Sequence, residues 1–303
     1  MESARLALAV DLGGTKLSTA VIDENGAIHA ARKAPVSKNG VAGAIEQIAD
    51  EAAQVVKASG RSWDGICGAA VIVPGVFRKA DGMVWAPNLW GDSGVPFLAG
   101  LQAHLPVPVL IDSDRAGYVQ GERWLGIARG LRDVVFLSVG TGIGAGIVSG
   151  GRLIRGAGGV AGAVGWFALN PQFEPIYAEL GCWEAEAAGP AVARHAQDSS
   201  AERVADAARR GDSTALRAVQ NAAGYLSMGI ANLISALNPQ MVVLGGGFMQ
   251  ASDLLLEPIR QGVKRWAQPH AAAQARIEMT QLGEQAGLFG AAKLALFPAE
   301  DRD

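Results

Sequence analysis

The chain has 303 residues, 50% hydrophobic and 18% charged, with a formal net charge of −3. This is globular composition, long enough for two lobes. It excludes a disordered polypeptide and gives no electrostatic reason to expect nucleic acid or an anionic membrane as a partner. Two cysteines, Cys67 and Cys182, make no disulfide framework and suit a reducing compartment, and the opening MESARLALAV reads as a first strand rather than a secretion signal, so a cytoplasmic protein is expected.

In chain order, Leu6–Asp11 is an apolar run that ends in Leu12-Gly13-Gly14-Thr15-Lys16. Leu17–Asp23 and Ala27–Lys33 follow, separated by Asn25-Gly26, a pair suited to the positive φ angles of a hairpin turn. Helical spacing covers Val41–Ala58, buried strands are predicted at Gly65–Val73 and Pro108–Asp112, and a helix at Arg115–Trp124. The opening pattern then returns. Val134–Val139 runs into Gly140-Thr141-Gly142, then Ile143–Ser149, a Gly150-Gly151 turn and Arg152–Arg155. Two copies of one device imply two lobes with related cores. Mostly helices follow, the clearest at Asn221–Leu237 and ended by Asn238-Pro239. Met241–Leu244 is a strand entering Gly245-Gly246-Gly247, and a last helix near Glu284–Leu296 is expected to return to the first lobe. The most apolar stretches, around Val134–Gly151 and Leu233–Met249, are interrupted by glycines, a proline or polar residues, so no span of a membrane is expected.

Three glycine turns therefore each follow a strand: Gly13-Gly14-Thr15, Gly140-Thr141-Gly142 and Gly245-Gly246-Gly247. Phosphate oxygens need converging backbone N–H groups, which glycine lets approach closely, and Thr15 and Thr141 add hydroxyl donors. One such turn is commonly structural; three in these positions point to a nucleotide. Asp11, at the end of the first strand, can hold Mg²⁺ through water or simply form the turn.

Asp11-Leu12-Gly13-Gly14-Thr15-Lys16, the Gly140–Gly146 run, Arg155-Gly156-Ala157 with Gly162, Val242–Gly247 and Ala286–Ala292 together resemble the ROK family, named for repressors, open reading frames and kinases. The resemblance covers about residues 5–297. It implies membership of the actin/hexokinase/Hsp70-like superfamily, with an α/β, two-lobed actin-like ATPase (ribonuclease H-like) fold and an interlobe cleft. The expected division is a small lobe of residues 1–114 with the C-terminal helix 287–303, and a large lobe of residues 115–286. ATP and Mg²⁺ are the implied cofactors: phosphates on Gly13, Gly14, Thr15, Lys16, Gly140, Thr141 and Gly142, adenosine near Gly245, Gly246 and Gly247, and the metal positioned by Asp11.

In family kinases an Asn-Asp pair precedes a helix ending in Gly-Glu, and its aspartate is the general base. Gly121-Glu122 aligns that base with Asp114, with Ser113 in place of the asparagine. An aspartate before a helix can otherwise be an N-cap, and Asp112 ranks as a second, weaker candidate acid. Pro74, Gly75 and Asn88 match segments that line the sugar site, and Glu184 matches a glutamate that contacts the ring. Two family features are missing. The usual Gly-Glu-x-Gly-His reads Gly162-Ala163-Val164-Gly165-Trp166, so Ala163 and Trp166 replace a carboxylate and an imidazole. The Cys-x-Cys-Gly-x-x-Gly-Cys run reads Pro175–Cys182 and keeps one cysteine, so no structural zinc is expected.

The expected activity is phosphorylation of a hydroxyl, primary by family analogy, on a sugar or sugar-like ring. Loss of two polar partners favours a non-standard acceptor such as a cyclitol or modified hexose, with Trp166 available to stack on a ring face. Alternatives are a kinase of a common hexose (glucose, N-acetylmannosamine or similar) and a non-catalytic sugar or nucleotide sensor. A repressor is disfavoured, because the first strand begins by about Arg5 and no basic recognition helix appears. A homodimer is implied by the family alone.

Overall fold

The computed structural model describes residues 4–298. The chain divides into two compact units: Met1–Gly130 with Arg155–Val160 and Glu284–Asp303, and Leu131–Ile154 with Ala161–Gly283.

The first unit contains β1 (Leu6–Leu12), β2 (Lys16–Asp23), β3 (Ile28–Pro35), α1 (Gly40–Ala58), β4 (Ile66–Val73), β5 (Val76–Arg78), β6 (Met83–Trp85), α2 (Pro87–Trp90), α3 (Phe97–His104), β7 (Val109–Ser113) and α4 (Asp114–Trp124). Its main sheet has the order β3-β2-β1-β4-β7. β1, β2 and β3 pair antiparallel, while β4 and β7 are parallel to β1. Fully buried Leu8, Val10, Val71 and Val73 lie in one core with Ile48, Ala52 and Val55, which recur at helical spacing along α1.

The second unit contains β8 (Val134–Val139), β9 (Ile143–Ser149), β10 (Arg152–Leu153), α5 (Tyr177–Leu180), α6 (Cys182–Ala187), α7 (Gly189–Ala196), α8 (Ala201–Arg209), α9 (Ser213–Leu237), β11 (Met241–Gly245), α10 (Ser252–Trp266), α11 (Pro269–Gln274) and β12 (Arg276–Met279). Its sheet order, β10-β9-β8-β11-β12, repeats the first: an antiparallel triplet followed by two strands parallel to its first member. The repeated glycine-turn hairpin is thus the start of a repeated sheet topology.

α9 begins eight residues before the predicted Asn221. Asp212 caps it, its Oδ1 accepting from the backbone N–H groups of Thr214 (3.0 Å) and Ala215 (2.8 Å). The added turns bury Ala215, Ala218 and Val219, mostly alanines that mark an apolar face weakly. The helix ends as expected, Asn238 taking a left-handed conformation (φ 45°) before Pro239. Trp183 of α6 is completely buried against this helix. A Cβ on Gly229 would lie 2.2 Å from its ring, so only glycine leaves room for the indole.

The last helix, α12 (Ala286–Leu296), belongs to the first unit, where it packs on α4, β1 and β4. Close approach of α12 and α4 rests on glycine: a Cβ on Gly121 would meet the Ala286 carbonyl at 2.2 Å, and one on Gly290 the Gly117 carbonyl at 1.9 Å. This corrects the expected boundary after residue 114. α4 and the chain as far as Gly130 belong to the first unit, as do Arg155–Val160, because α4 is locked between its sheet and α12.

Candidate active site

In the first unit, the parallel strands β1, β4 and β7 end together. Asp11 pairs in register with Ile72, Ile72 with Asp112, and Val73 with Ser113. This alignment brings Asp11, Pro74-Gly75 and Asp112-Ser113-Asp114 to one sheet edge, the carboxyl end at which open α/β sheets bind ligands. Beside Asp11, the β1–β2 turn is closed by the Gly13 N–H donating to the Lys16 carbonyl at 2.9 Å. Gly14 and Thr15 are exposed at its tip.

Ser113, not Asp114, caps α4. Its Oγ accepts from the Ala116 N–H at 3.2 Å, while Asp114 opens the helix and accepts from the Arg115 N–H at 2.8 Å through Oδ1. The capping alternative for Asp114 is thereby removed. Burial pushes the Asp114 carboxyl up to about 6, with the Arg115 guanidinium pulling the other way. Asp112 is engaged elsewhere: its Oδ2 receives the Nη2 (2.7 Å) and Nε (3.1 Å) of Arg155 and its Oδ1 the Ser113 N–H (2.8 Å). Both Asp112 oxygens are thus occupied by donors within the protein, whereas the hydrogen bond of the Asp114 side chain is to the Arg115 N–H of its own helix.

Burial, then the Asp114 charge, push Asp11 up to about 7. Its Oδ1 is buried with no hydrogen-bond partner. A buried carboxylate oxygen without a partner, beside an open glycine turn, fits a site that a hydrated divalent cation completes. Lys16 sits farther out, its ammonium 3.6 Å from Glu284, which also binds Lys33 at 2.5 Å. Gly75 is held tightly, since a Cβ there would fall 2.2 Å from the Trp85 carbonyl. Asn88 lies exposed on α2, just beyond Trp85.

The second unit holds the other candidates. Gly140-Thr141-Gly142 joins β8 to β9, with the Gly140 N–H donating to the Gly142 carbonyl at 2.9 Å and Thr141 exposed. β8 and β11 are parallel neighbours, so Gly245-Gly246-Gly247 lies beside this turn: a Cβ on Gly140 would be 3.5 Å from the Gly247 nitrogen. Gly246 has φ 95° and its missing Cβ would meet the Val139 carbonyl at 2.4 Å, which makes glycine obligatory there. Glu184 on α6 reaches the same region. Its Oε2 accepts from the Ile143 N–H at 2.8 Å, and Cβ atoms on Gly142 or Gly165 would crowd that oxygen at 2.6 and 3.1 Å. Burial raises the Glu184 carboxyl above its usual range, and the Ile143 amide opposes the shift. The candidates thus form two sets, one at each sheet.

A model of the ROK family matches residues 7–297. The chain belongs to the ROK family. The glucokinase of Halalkalibacterium halodurans is 31% identical over 312 residues, 95% of this chain and 94% of its own length. The glucokinase of Streptomyces coelicolor is 32% identical, covering 97% of this chain and 98% of that one. The crystal structure of a ROK family glucokinase from Streptomyces griseus, in complex with glucose and AMPPNP, gives a TM-score of 0.81 at 28% identity, covering 96% of this chain and 99% of that one. The fold is accordingly the two-lobed, actin-like α/β fold of its ROK neighbours.

The ROK positions that depart from the family pattern are filled without a metal-binding set: no group of three or more His, Cys, Asp or Glu side chains suited to a metal ion gathers among the described residues. Tyr177 instead bonds through its hydroxyl to the Glu186 carboxylate and receives the Asn170 amide at 2.9 Å. Around it Cys182, Ala185, Leu169 and Ile176 form a small apolar cluster. Burial and the Glu186 bond raise the Tyr177 pKa, consistent with a phenol that donates. Ala163 precedes a short 3-10 turn, Val164–Trp166, on which Trp166 is 58% exposed.

Sequence reasoning passed over several residues. Tyr118 stands one helical turn after Asp114, close enough for both site aspartates to raise its pKa after burial; the four-residue spacing was the available signal. Arg155 appeared only as a family motif residue, and nothing local joins it to Asp112. Arg115 carries no sequence signal beyond its place in a predicted helix. Lys33 and Glu284 are far apart in the chain and carry no pattern that pairs them. No described helix is long and apolar enough to cross a membrane.

Proposed function

We propose that this ROK protein transfers the terminal phosphoryl group of ATP to a hydroxyl, primary by family analogy, of a sugar or sugar-like ring. The observation that carries this reading is the convergence, at one end of the parallel strands, of Asp11, the β1–β2 glycine turn and a half-buried Asp114 that does not cap its helix. In the reaction the bond from the transferred phosphorus to the ADP oxygen breaks and a bond to the acceptor oxygen forms. The acceptor proton passes to Asp114, which must be ionised to take it. Asp11 would hold Mg²⁺, which when bound neutralises phosphate charge. Gly13, Gly14 and Thr15, with Gly140, Thr141 and Gly142, offer N–H and hydroxyl donors to phosphate oxygens, and Gly245–Gly247 leave space for the nucleoside. Pro74-Gly75, Asn88 and Glu184 bind the ring. The protein works in the cytoplasm, as a homodimer by family analogy.

The acceptor is a non-standard ring such as a cyclitol or modified hexose. Supporting this are Ala163 and Trp166, which stand in place of the carboxylate and imidazole that partner two hydroxyls in the family and present an exposed indole face. An unpaired buried hydroxyl costs roughly 1–3 kcal/mol, enough to select against plain glucose. A common hexose is the second reading, favoured by the retained Glu184 and by the names of the relatives.

The test is a mass-spectrometric phosphotransfer screen with ATP and Mg²⁺ against hexoses, amino sugars, anhydrosugars and cyclitols, with Asp114→Asn alongside. A product heavier by one phosphoryl group, formed by wild type and not by the variant, is expected. Nucleotide binding with no transfer to any acceptor would instead favour a sensor, and glucose as the best substrate the common-hexose reading.

A further inference from the structure

Two arginines stand by the Asp112-Ser113-Asp114 run, Arg155 at Asp112 and Arg115 at Asp114, and they differ in occupation. Arg155 is committed to Asp112 through a two-pronged bond. Arg115, the second residue of α4, is half-buried and makes one long hydrogen bond, Nη2 to the Gly75 carbonyl at 3.4 Å. Among the described residues no carboxylate forms an ion pair with it. A guanidinium has five N–H groups in a rigid fork suited to a carboxylate or phosphate, and this one spends a single weak bond on a neutral carbonyl.

The position is informative. Arg115 follows the candidate base directly and reaches the loop after β4. That loop at Gly75 touches the backbone of Trp85 and Ala86, the segment that leads to Asn88. Beyond its charge interaction with the adjacent Asp114, the guanidinium therefore keeps most of its donors unspent beside the loop that leads to Asn88. Half-burial of a guanidinium is costly unless something compensates it; Asp114 does so in part, and an anionic ligand that takes the unspent N–H groups adds to this.

We propose that Arg115 is a specificity residue and that the acceptor carries an anionic substituent, a carboxylate or a phosphate, in addition to the hydroxyl that is phosphorylated. This rests on the kinase reading and narrows its substrate class. Arg115 holds the substituent in a bidentate, charge-assisted contact, which sets the reacting hydroxyl against Asp114. Neutral rings lack that contact and leave those N–H groups unspent.

The test measures kcat/KM, with ATP and Mg²⁺, on matched pairs of acceptors that each keep a primary hydroxyl. One arm compares aldonic acids and carboxyalkyl ethers of hexoses with their neutral parents; the other compares hexose 1-phosphates with the free hexoses. Wild type is expected to prefer the anionic member of one arm by about 10–100-fold, the range a charged hydrogen bond supplies, and the arm that responds identifies the anion. In Arg115→Ala and Arg115→Gln that ratio falls about tenfold or more, mainly through KM, and thermal melting checks that the variants fold. A wild-type preference for neutral members overturns the proposal and leaves the kinase standing. So does an equal loss of kcat on every acceptor with a shifted pH profile, which would mean that Arg115 acts only on Asp114. Bound nucleotide without transfer to any acceptor, charged or neutral, overturns the kinase reading itself.

Discussion

Gly287 faces the carboxylate of Asp11: a Cβ at residue 287 would lie 2.2 Å from Oδ2 of a residue 276 positions earlier in the chain. The first turn of α12 is therefore one wall of the site, and glycine there keeps the carboxylate in place. Gly287→Ala should push Asp11 off its position. The expected result is a loss of activity of about tenfold or more with a steeper Mg²⁺ requirement, and a stability loss of roughly 1–3 kcal/mol from overpacking. Activity titrated with Mg²⁺ and thermal melting check this; an unchanged Mg²⁺ dependence would detach Asp11 from metal binding.

Asp114 titrates near 6 because burial disfavours its charge. As a general base it must be ionised, so kcat/KM should rise with pH through about 6 and level off above. Stability runs the other way. Between the unfolded value near 3.8 and the folded value near 6, the native state holds a proton that the unfolded chain has lost, so stability falls as pH rises across that window. Asp114→Asn should reduce transfer by roughly 10²–10⁴-fold, retain nucleotide binding, and melt higher than wild type at pH 7. A lower melting temperature would show that the ionised carboxylate is stabilised in a way its burial does not indicate.

Trp166 is 58% exposed, so truncating it should cost the fold little, within roughly 0.5 kcal/mol. Trp166→Ala is expected to raise KM for the best acceptor about 3–10-fold through the loss of ring stacking, with the melting temperature nearly unchanged. An unaltered KM would remove Trp166 from the acceptor site.

Where family members place zinc, this chain has Tyr177 bonded to Glu186 and Asn170 within a small apolar cluster. Chelator should therefore leave the melting temperature unchanged. Tyr177→Phe should lower it, since two polar partners lose a bond worth roughly 1–3 kcal/mol when left unsatisfied. A chelator-induced drop would reveal a bound metal.

The strands, hairpins and glycine turns were readable because each is encoded within a few residues. Gly26, Gly150 and Gly151 supply positive φ, although Asn25 does not join Gly26 in it, and Gly246 at φ 95° tolerates no side chain. Apolar runs then carry the chain into mixed sheets, each an antiparallel triplet extended by two parallel strands, and the repeated pattern announced the repeated sheet order. The resemblance singles out Asp114 by aligning Gly121-Glu122, residues of the same helix. The Arg155–Asp112 pair, the Glu284 link to Lys16 and Lys33, and the seat of Gly287 on Asp11 join segments far apart in the chain. Even the short-range choice between Ser113 and Asp114 as cap depended on where β7 stops. Local backbone preference sets which turns and strands form, and can be read residue by residue. Which charges meet depends on how strand order and helix packing bring distant segments together, and that is settled only when the whole chain has folded.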